Sequence, residues 1–193
     1  MDHLTTLACA ARGGDPPSTA AFIRAGQHEV WSLCAHLVDG ASADDLMRET
    51  YLRAFRALSR FRQSCSARTW LLSITRQVCM EEELRRRIRR HKRGVLVAEQ
   101  DEERAAHSGV EQVEVREWLG HLSSDRRTAF VLTQILELSY EGAAKICQCR
   151  VGTIRSRVAR ARIDLIEALG TTGDGARRAC GQGAAGGSLD AME

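Results

Sequence analysis

Two short predicted helices joined by a tight turn, the second rich in arginine, constrain this chain more than any other feature. Residues 138–147 predict the first helix, residues 148–152 the turn and residues 153–162 the second helix. Residues 150–162 carry five arginines and no carboxylate, whereas a merely solvated helix face usually mixes both signs of charge. The pattern predicts a helix-turn-helix whose second helix faces a polyanion such as DNA.

Helical spacing divides this second helix into a buried face and an exposed face. The apolar stripe repeats at spacings of four, three and four and consists of Ile154, Val158, Ala161 and Leu165. The opposite face and its shoulder consist of Arg155, Ser156, Ala159 and Arg160. Arg157 and Arg162 lie nearer the edges of the stripe, where long side chains can reach phosphates.

Charge alternates along the chain in blocks. Residues 1–93 hold 16 Lys/Arg against 10 Asp/Glu, residues 94–117 hold 2 against 7, and residues 118–170 hold 8 against 5. The acidic segment repels DNA and separates two potential nucleic-acid surfaces. A chain of 193 residues has room for two small domains.

Apolar periodicity predicts an all-α protein built from two small helical domains, because no convincing strand-like alternation occurs. The predicted segments are a flexible N-terminus at 1–17, a first domain at 18–93, a flexible acidic linker at 94–112, a second domain with the helix-turn-helix at 113–170 and a disordered glycine-rich tail at 171–193.

The first domain should contain three helices. Ser18 and Ser42 are the predicted N-caps of the first two helices. The third begins near Trp70 and continues through three glutamates into a basic run at 85–93, which has seven Lys/Arg in nine residues. Glutamates four residues before arginines support the helix locally. The excess cations indicate contact with a phosphate backbone, although a disordered basic arm and simple solubility are alternatives.

Cysteine usage and hydropathy bear on location and cofactors. Seven scattered cysteines without a paired framework are typical of reduced thiols in a cytoplasm. Cys34 and Cys79 fall on apolar helix faces and should be small core residues. Cys147 and Cys149 form a C-x-C pair with no second pair, which gives little support for a metal site. Without a long apolar run or a signal-peptide layout, we expect a cytoplasmic, nucleoid-associated protein with no membrane partner, metal or cofactor.

With both helical blocks in place, residues 18–170 resemble the extracytoplasmic-function (ECF) group of bacterial sigma factors in the sigma-70 family. Only Lys92 and Lys145 among the 28 basic residues are lysine, a bias typical of a GC-rich genome, and we expect an actinobacterial member. The resemblance implies a non-catalytic subunit that binds core RNA polymerase, recognises the minus-35 and minus-10 promoter elements and promotes transcription initiation.

Within the first block, residues 44–55 are similar to region 2.2 of the family. The resemblance implies that this segment grips the clamp of the largest polymerase subunit. The positions carried over to that contact are Asp45, Arg48, Glu49 and Arg53. Arg48 stands where the family usually has glutamine.

Residues 66–77 look like regions 2.3 and 2.4, which melt and hold the single-stranded minus-10 element. A loop can admit a flipped base while the adjacent helix offers arginine and amide groups to its edges and phosphates. The candidates are Gln63, Ser64, Arg68, Arg76 and Gln77, together with Arg86, Arg89 and Arg90 of the basic run. Trp70, at the start of an apolar stripe, is expected to be a core residue rather than a base-stacking platform.

Residues 122–162 resemble region 4, which reads the minus-35 duplex. The implied contacts are Arg150, Thr153, Arg155, Ser156, Arg157, Ala159 and Arg160. Further partners implied by the family are the flap of the polymerase and an anti-sigma factor. The acidic linker would thread toward the polymerase active centre, although a plain solvated linker remains open.

Two other functions fit parts of the sequence. A free-standing helix-turn-helix repressor or activator would bind duplex DNA without polymerase and would leave residues 44–56 without a purpose. A redox- or zinc-responsive adaptor would act through its cysteines. An enzymatic function is disfavoured, because the sequence shows no catalytic motif that combines a nucleophile, a base and an orienting group.

Overall fold

The computed structural model describes residues 2–93, 115 and 117–180. The N-terminal bundle consists of α1 (His3–Ala11), α2 (Pro16–Leu37), α3 (Gly40–Leu58) and α4 (Ala67–Arg93). The C-terminal bundle consists of a helical segment at 117–120, α5 (Ser124–Phe130), a π-helical turn (Val131–Ile135), α6 (Tyr140–Cys147) and α7 (Val151–Cys180). No strand occurs in these ranges, so the all-α prediction is confirmed. The predicted linker at 94–112 lies outside the described residues.

The expected flexible N-terminus is wrong over most of its length, because α1 is a packed helix. Asp2 caps it by accepting a hydrogen bond from the Thr5 amide at 2.8 Å. Thr5, Ala8 and Ala11 are buried at spacings of three, so one face of α1 covers the bundle. Pro16 and Pro17, at the end of the segment predicted to be flexible, instead start α2, where proline lacks only an amide that the helix does not use.

Aspartates rather than serines cap the next two helices. Asp15 accepts from the Ser18 amide at 2.9 Å, and Asp39 accepts from the Ser42 amide at 2.7 Å. The predicted caps Ser18 and Ser42 are therefore the third residues of their helices. Both residue types are good N-caps, and the structure uses the earlier one in each pair.

The core of the N-terminal bundle is built on an aromatic cluster. The Phe22 ring packs edge-on against Tyr51 and Phe55, each with a centroid separation of 6.2 Å. Tyr51 donates its hydroxyl hydrogen to the carbonyl oxygen of Ile23 at 3.1 Å. Cys34 and Cys79 are buried as predicted, with their Sγ atoms 3.8 Å apart. Helix α4 runs unbroken into the basic segment, which confirms its predicted continuation.

The C-terminal bundle contains the predicted helix-turn-helix as α6 and α7. Ile154, Val158 and Ala161 are at most 2% exposed, which confirms the predicted buried stripe. The turn depends on Gln148, which has a φ of 53° and donates its amide hydrogen at the end of α6. Sequence analysis placed Gly152 in the turn, but this glycine lies inside α7.

Two features mark the edges of this bundle. At its start, Leu119 and Leu122 are buried, whereas Trp118 is 39% exposed. Helix α7 continues to Cys180 rather than ending at Gly170. Of the six glycines of the predicted tail, only two lie within residues 171–180, and a helix tolerates each at about 1 kcal/mol relative to alanine.

Candidate nucleic-acid interface

Helix α7 presents the predicted reading face to solvent. Arg155, Ser156, Ala159 and Arg160 are all exposed, whereas Ile154 and Val158 hold the opposite face in the core. The Ser156 hydroxyl donates a hydrogen bond to the carbonyl oxygen of Thr153 at 3.0 Å. Arg150 is exposed just before the helix, and Thr153 is half-buried in its first turn. The face therefore offers two guanidinium groups flanking small side chains, a shape suited to a DNA groove.

The arginines at the edges of this face are bound to the rest of the C-terminal bundle. Arg157 donates from Nη2 to Asp125 Oδ2 at 2.5 Å, and its side chain is 24% exposed. Arg162 donates to the side-chain oxygen of Gln134 at 2.7 Å. Both side chains therefore orient α7 against α5 and the π-helical turn instead of extending freely toward phosphates. Sequence spacing could not identify these partners.

The basic end of α4 contains both exposed and paired arginines. Arg89 and Arg90 are exposed, and Arg89 also contacts Glu82 at 2.7 Å. Arg86 is different, because it binds Asp39 and Ser42 at the start of α3 as well as Glu82. Burial lowers the pKa of Arg86, but its bonds to Asp39 and Glu82 outweigh burial and raise that pKa overall. Arg86, whose side chain is 31% exposed, thus joins α4 to α3, and its guanidinium is already bound to carboxylates rather than available to a phosphate.

The minus-10 candidates lie at the start of α4 and in the loop before it. Gln63 and Ser64 are exposed in the loop between α3 and α4, and Gln63 has a φ of 56°. Gln77 is exposed on α4 and donates to Glu81 at 3.3 Å. Trp70 packs on Phe61 with ring centroids 5.0 Å apart, as expected for a core residue.

Arg68 and Arg76 are half-buried where α4 meets the C-terminal bundle. Arg68 donates from Nε to Glu29 at 2.7 Å and from Nη2 to the carbonyl oxygen of Leu136 at 2.6 Å. The Nε of Arg76 is buried and has no hydrogen-bond partner among the described residues. This part of α4 packs against α6 of the C-terminal bundle. The Arg68 side chain is 36% exposed, so these two predicted DNA-binding arginines are only partly covered in the contact between the bundles.

Polar contacts at Glu83 extend this contact along α4. Glu83 accepts from the Ser124 hydroxyl at 2.9 Å and lies 3.7 Å from the Arg127 guanidinium. Arg127 also donates to the carbonyl oxygen of Leu37 at 3.3 Å. The two bundles are thus joined by polar contacts at both ends of the predicted minus-10 surface.

One face of α3 brings together most of the predicted polymerase contacts. The Asp45 and Arg48 side chains are 83% and 76% exposed and lie 3.5 Å apart. Sequence analysis missed Leu52, which is 48% exposed one turn further along α3. A single exposed leucine is ordinary on protein surfaces, and only the packing of α3 shows that Leu52 lies on the same face as Asp45 and Arg48.

Arg53 and Glu49 have a structural partner in α4. Arg53 donates to Glu49 at 2.7 Å and forms a two-bond pair with Glu81 at 2.8 and 2.9 Å. Hydrogen bonds to Glu81 first, and then to Glu49, raise the pKa of Arg53. The same bond from Arg53 holds the pKa of Glu81 below its ordinary value. Arg53 therefore acts as a link between α3 and α4.

The described residues also bear on metal binding and on membrane crossing. No group of three or more histidine, cysteine or acidic side chains there could hold a metal ion. Burial raises the pKa of Cys147 to about 11, which disfavours the thiolate that metals bind. Within the same ranges, every helix is too short or too polar to cross a bilayer.

Comparison with known proteins matches both bundles to one family. Residues 22–94 match sigma-70 region 2, and residues 112–165 match sigma-70 region 4. The ECF RNA polymerase sigma factor SigC of Mycobacterium tuberculosis is 47% identical over 167 residues, which cover 86% of this chain and 90% of the relative. The RNA polymerase sigma-H factor of Pseudomonas aeruginosa is 32% identical and covers 81% of this chain and 88% of its own length.

Two solved structures share the fold. CnrH in complex with the cytosolic domain of CnrY aligns with a TM-score of 0.71 at 23% identity and covers 88% of this chain and 99% of its own. The sigma factor RpoE of Bartonella quintana, solved with the anti-sigma factor NepR, aligns with a TM-score of 0.63 at 29% identity over 76% of this chain and 93% of its own.

Proposed function

The chain belongs to the sigma-70 family as an RNA polymerase sigma factor of the ECF type, and from that premise we propose which surface makes each of its contacts. As a sigma factor it binds core RNA polymerase and promoter DNA and directs transcription initiation. The assignment rests mainly on α7, where the reading face predicted from spacing is exposed and the apolar stripe is buried.

The minus-35 duplex is assigned to α7. Arg155 and Arg160 read base edges, and Ser156 and Ala159 leave room for the groove wall between them. Arg150 and Thr153 lie at the start of α7, close to where a phosphate meets a helix N-terminus. Arg157 contributes indirectly, because its bond to Asp125 fixes the orientation of the helix.

The minus-10 strand is assigned to the loop and the first half of α4. Gln63 and Ser64 contact an unstacked base, and Arg68, Arg76 and Gln77 hold its edges and phosphates. Arg89 and Arg90 extend the contact along the DNA phosphate backbone. Arg86 holds α4 in place through its bonds to Asp39 and Ser42 at the start of α3. Since the Arg68 guanidinium is already bound to Glu29 and to the Leu136 carbonyl oxygen in the free chain, the bundles separate when the minus-10 strand binds.

Core polymerase is assigned to the exposed face of α3 formed by Asp45, Arg48, Glu49 and Leu52. The charged groups pair with the clamp of the largest subunit, and Leu52 supplies the apolar contact that a stable interface needs. Arg53 supports this face through its links to Glu49 and Glu81. The C-terminal bundle engages the flap.

The remaining assignments follow from this role. None of these contacts requires a catalytic group, so we assign no enzymatic activity. We place the protein in the cytoplasm at the nucleoid, where polymerase and promoter DNA are found. The solved relatives CnrH and RpoE were captured with CnrY and the anti-sigma factor NepR, and we extend a partner of that kind to this chain.

Run-off transcription with purified core polymerase on a library of promoter fragments tests the assignment. Arg155→Ala and Arg160→Ala should each cost about 1–3 kcal/mol at particular upstream positions if they make two-bond base contacts. Arg24→Ala, which removes an exposed arginine from α2, is the matched control. A uniform loss over all sequences would reduce the two arginines to phosphate anchors.

Two binding measurements distinguish the alternative of a free-standing regulator. It would bind intact duplex tightly without polymerase, and added core polymerase would not co-elute with it. That outcome would overturn the polymerase and minus-10 assignments together.

A further inference from the structure

Helix α1 contacts the loop that joins α3 to α4 at three points, near its start, its middle and its end. Thr5, Cys9 and Arg12 are spaced by four and three residues and so share one face of α1. Arg12 Nη2 donates to the carbonyl oxygen of Ser59 at 3.1 Å, where the loop begins. The Cys9 sulfur accepts a hydrogen bond from the side-chain amide (Nε2) of Gln63 at 3.0 Å, near the middle of the loop. Thr5 accepts from the Ala67 amide at 2.8 Å, where the loop ends.

The contact at Thr5 is buried and has only one possible direction. The Ala67 amide can only donate, so the Thr5 hydroxyl oxygen accepts there and its hydrogen goes to the carboxylate of Asp2 at 2.7 Å. Thr5 is 4% exposed and Ala67 is fully buried. The first amide of α4 is therefore satisfied by α1, while the Thr69 amide is satisfied locally by Ser66.

The middle contact holds a residue in an uncommon conformation. The φ of Gln63 is 56°, in the left-handed region that side-chain-bearing residues rarely adopt. Such a conformation persists only where its surroundings maintain it. Its side chain is held by Cys9, and the loop on either side of it is anchored by Arg12 and Thr5.

We propose that α1 is a positioning element that sets the conformation of the base-reading loop, with Thr5 as its principal residue. The inference rests on the proposed role of Gln63 and Ser64 in minus-10 recognition. It goes beyond the family match, because α1 lies before the first matched residue at position 22. Thr5 touches no DNA in this proposal and acts through the loop.

The experiment compares base preferences on one promoter library. The full chain with purified core polymerase transcribes templates that share one minus-35 element and are randomised through the minus-10 region. Gln63→Ala and Ser64→Ala first identify the positions that the loop reads. Thr5→Val removes the hydroxyl with little change in shape, and Thr5→Ser restores it. Thr6→Val is the matched control, because exposed Thr6 is the next residue of α1 and its hydroxyl donates to the Asp2 carbonyl oxygen rather than to the loop.

We expect Thr5→Val to reduce the base preference about fivefold at the positions that Gln63→Ala identifies, as for the loss of one capping hydrogen bond. Thr5→Ser and Thr6→Val should keep the wild-type preference. The ratios of transcript between templates do not depend on how much protein is folded. If Thr5 only stabilised the fold, Thr5→Val would lower all transcripts equally and leave these ratios unchanged. That result, or no change at all with Thr5→Val, would overturn the inference alone.

Failure of the proposed function has a separate outcome. If Gln63→Ala and Ser64→Ala alter no base preference, the loop does not read the promoter. That result would contradict the minus-10 assignment and, with it, the inference about α1.

Discussion

Arg68 of α4 donates a hydrogen bond to the carbonyl oxygen of Leu136 at 2.6 Å, across the contact between the two bundles. The carbonyl is available because the chain leaves its α-helical pattern just before it, in the π-helical turn of Val131–Ile135. Glu137, the next residue, has a φ of 52°. A local irregularity in the C-terminal bundle therefore occupies a side chain that sequence analysis assigned to the promoter.

Weakening the contact between the bundles should expose the minus-10 surface. Glu83→Gln removes the charge that attracts Arg127, a partly exposed pair of the kind that contributes about 0.2–1 kcal/mol. We expect the isolated chain to bind a single-stranded minus-10 oligonucleotide up to about fivefold more tightly. Fluorescence anisotropy measures the change, with Glu117→Gln as the control because it removes the same charge at an exposed position. Equal affinity for both variants and the wild type would show that this pair does not hold the bundles together.

Most helices could be predicted because their apolar periodicity is strong. In α7 the spacing of Ile154, Val158 and Ala161 was sufficient to identify the buried face. Helix α1 was missed because half of its six apolar residues are alanines and because two prolines follow it. Its sequence did hold a signal, since Asp2 is a good N-cap and Leu4, Leu7, Ala8 and Ala11 lie at helical spacing.

The roles of individual arginines could not be predicted, because their partners are distant in sequence. Arg86 pairs with Asp39, Arg157 with Asp125 and Arg53 with Glu81. A helical wheel shows which way each arginine points on its own helix, but it contains no information about the carboxylates on neighbouring helices. Tertiary packing alone distinguishes an arginine that is available to DNA from one that joins two helices.

Arg90 should act as a phosphate ligand without base preference. Its side chain is exposed at the basic end of α4, so Arg90→Ala should weaken promoter binding about equally on all sequences. The plot of log affinity against log salt concentration should become shallower by about one unit, since one phosphate contact is lost. Affinities of the polymerase complex on a forked promoter at several salt concentrations measure the slope. A sequence-dependent loss with an unchanged slope would contradict this role.

Substitutions of Arg53 and Arg48 should affect different properties, the first the stability of the fold and the second the binding of core polymerase. Arg53→Met removes the pairs with Glu49 and Glu81 and leaves two neighbouring carboxylates, so the free energy of unfolding should fall by about 1–2 kcal/mol. Arg48→Ala removes a side chain that is 76% exposed and should leave stability unchanged while weakening core binding. Urea denaturation and co-elution with core polymerase separate the two effects. A double-mutant cycle between Arg53 and Glu81 should give a coupling energy above zero.

The Asp39–Arg86 pair should make stability depend on acid pH. Burial alone would raise the pKa of Asp39, but bonds from Arg86 and the Ser42 amide outweigh burial and hold it below the ordinary value of 3.8. Because the unfolded chain then binds the proton more readily, this contribution is complete above the unfolded pKa and is lost as the pH falls through the folded value. Asp39→Asn tests the charge alone, since asparagine caps helices as well as aspartate does. Urea denaturation should give the wild type a free energy of unfolding about 1–3 kcal/mol above that of Asp39→Asn at about pH 7. This difference should shrink as the pH falls below 3.8. A difference that stays constant over this range would mean that Asp39 stabilises the bundle through its shape rather than its charge.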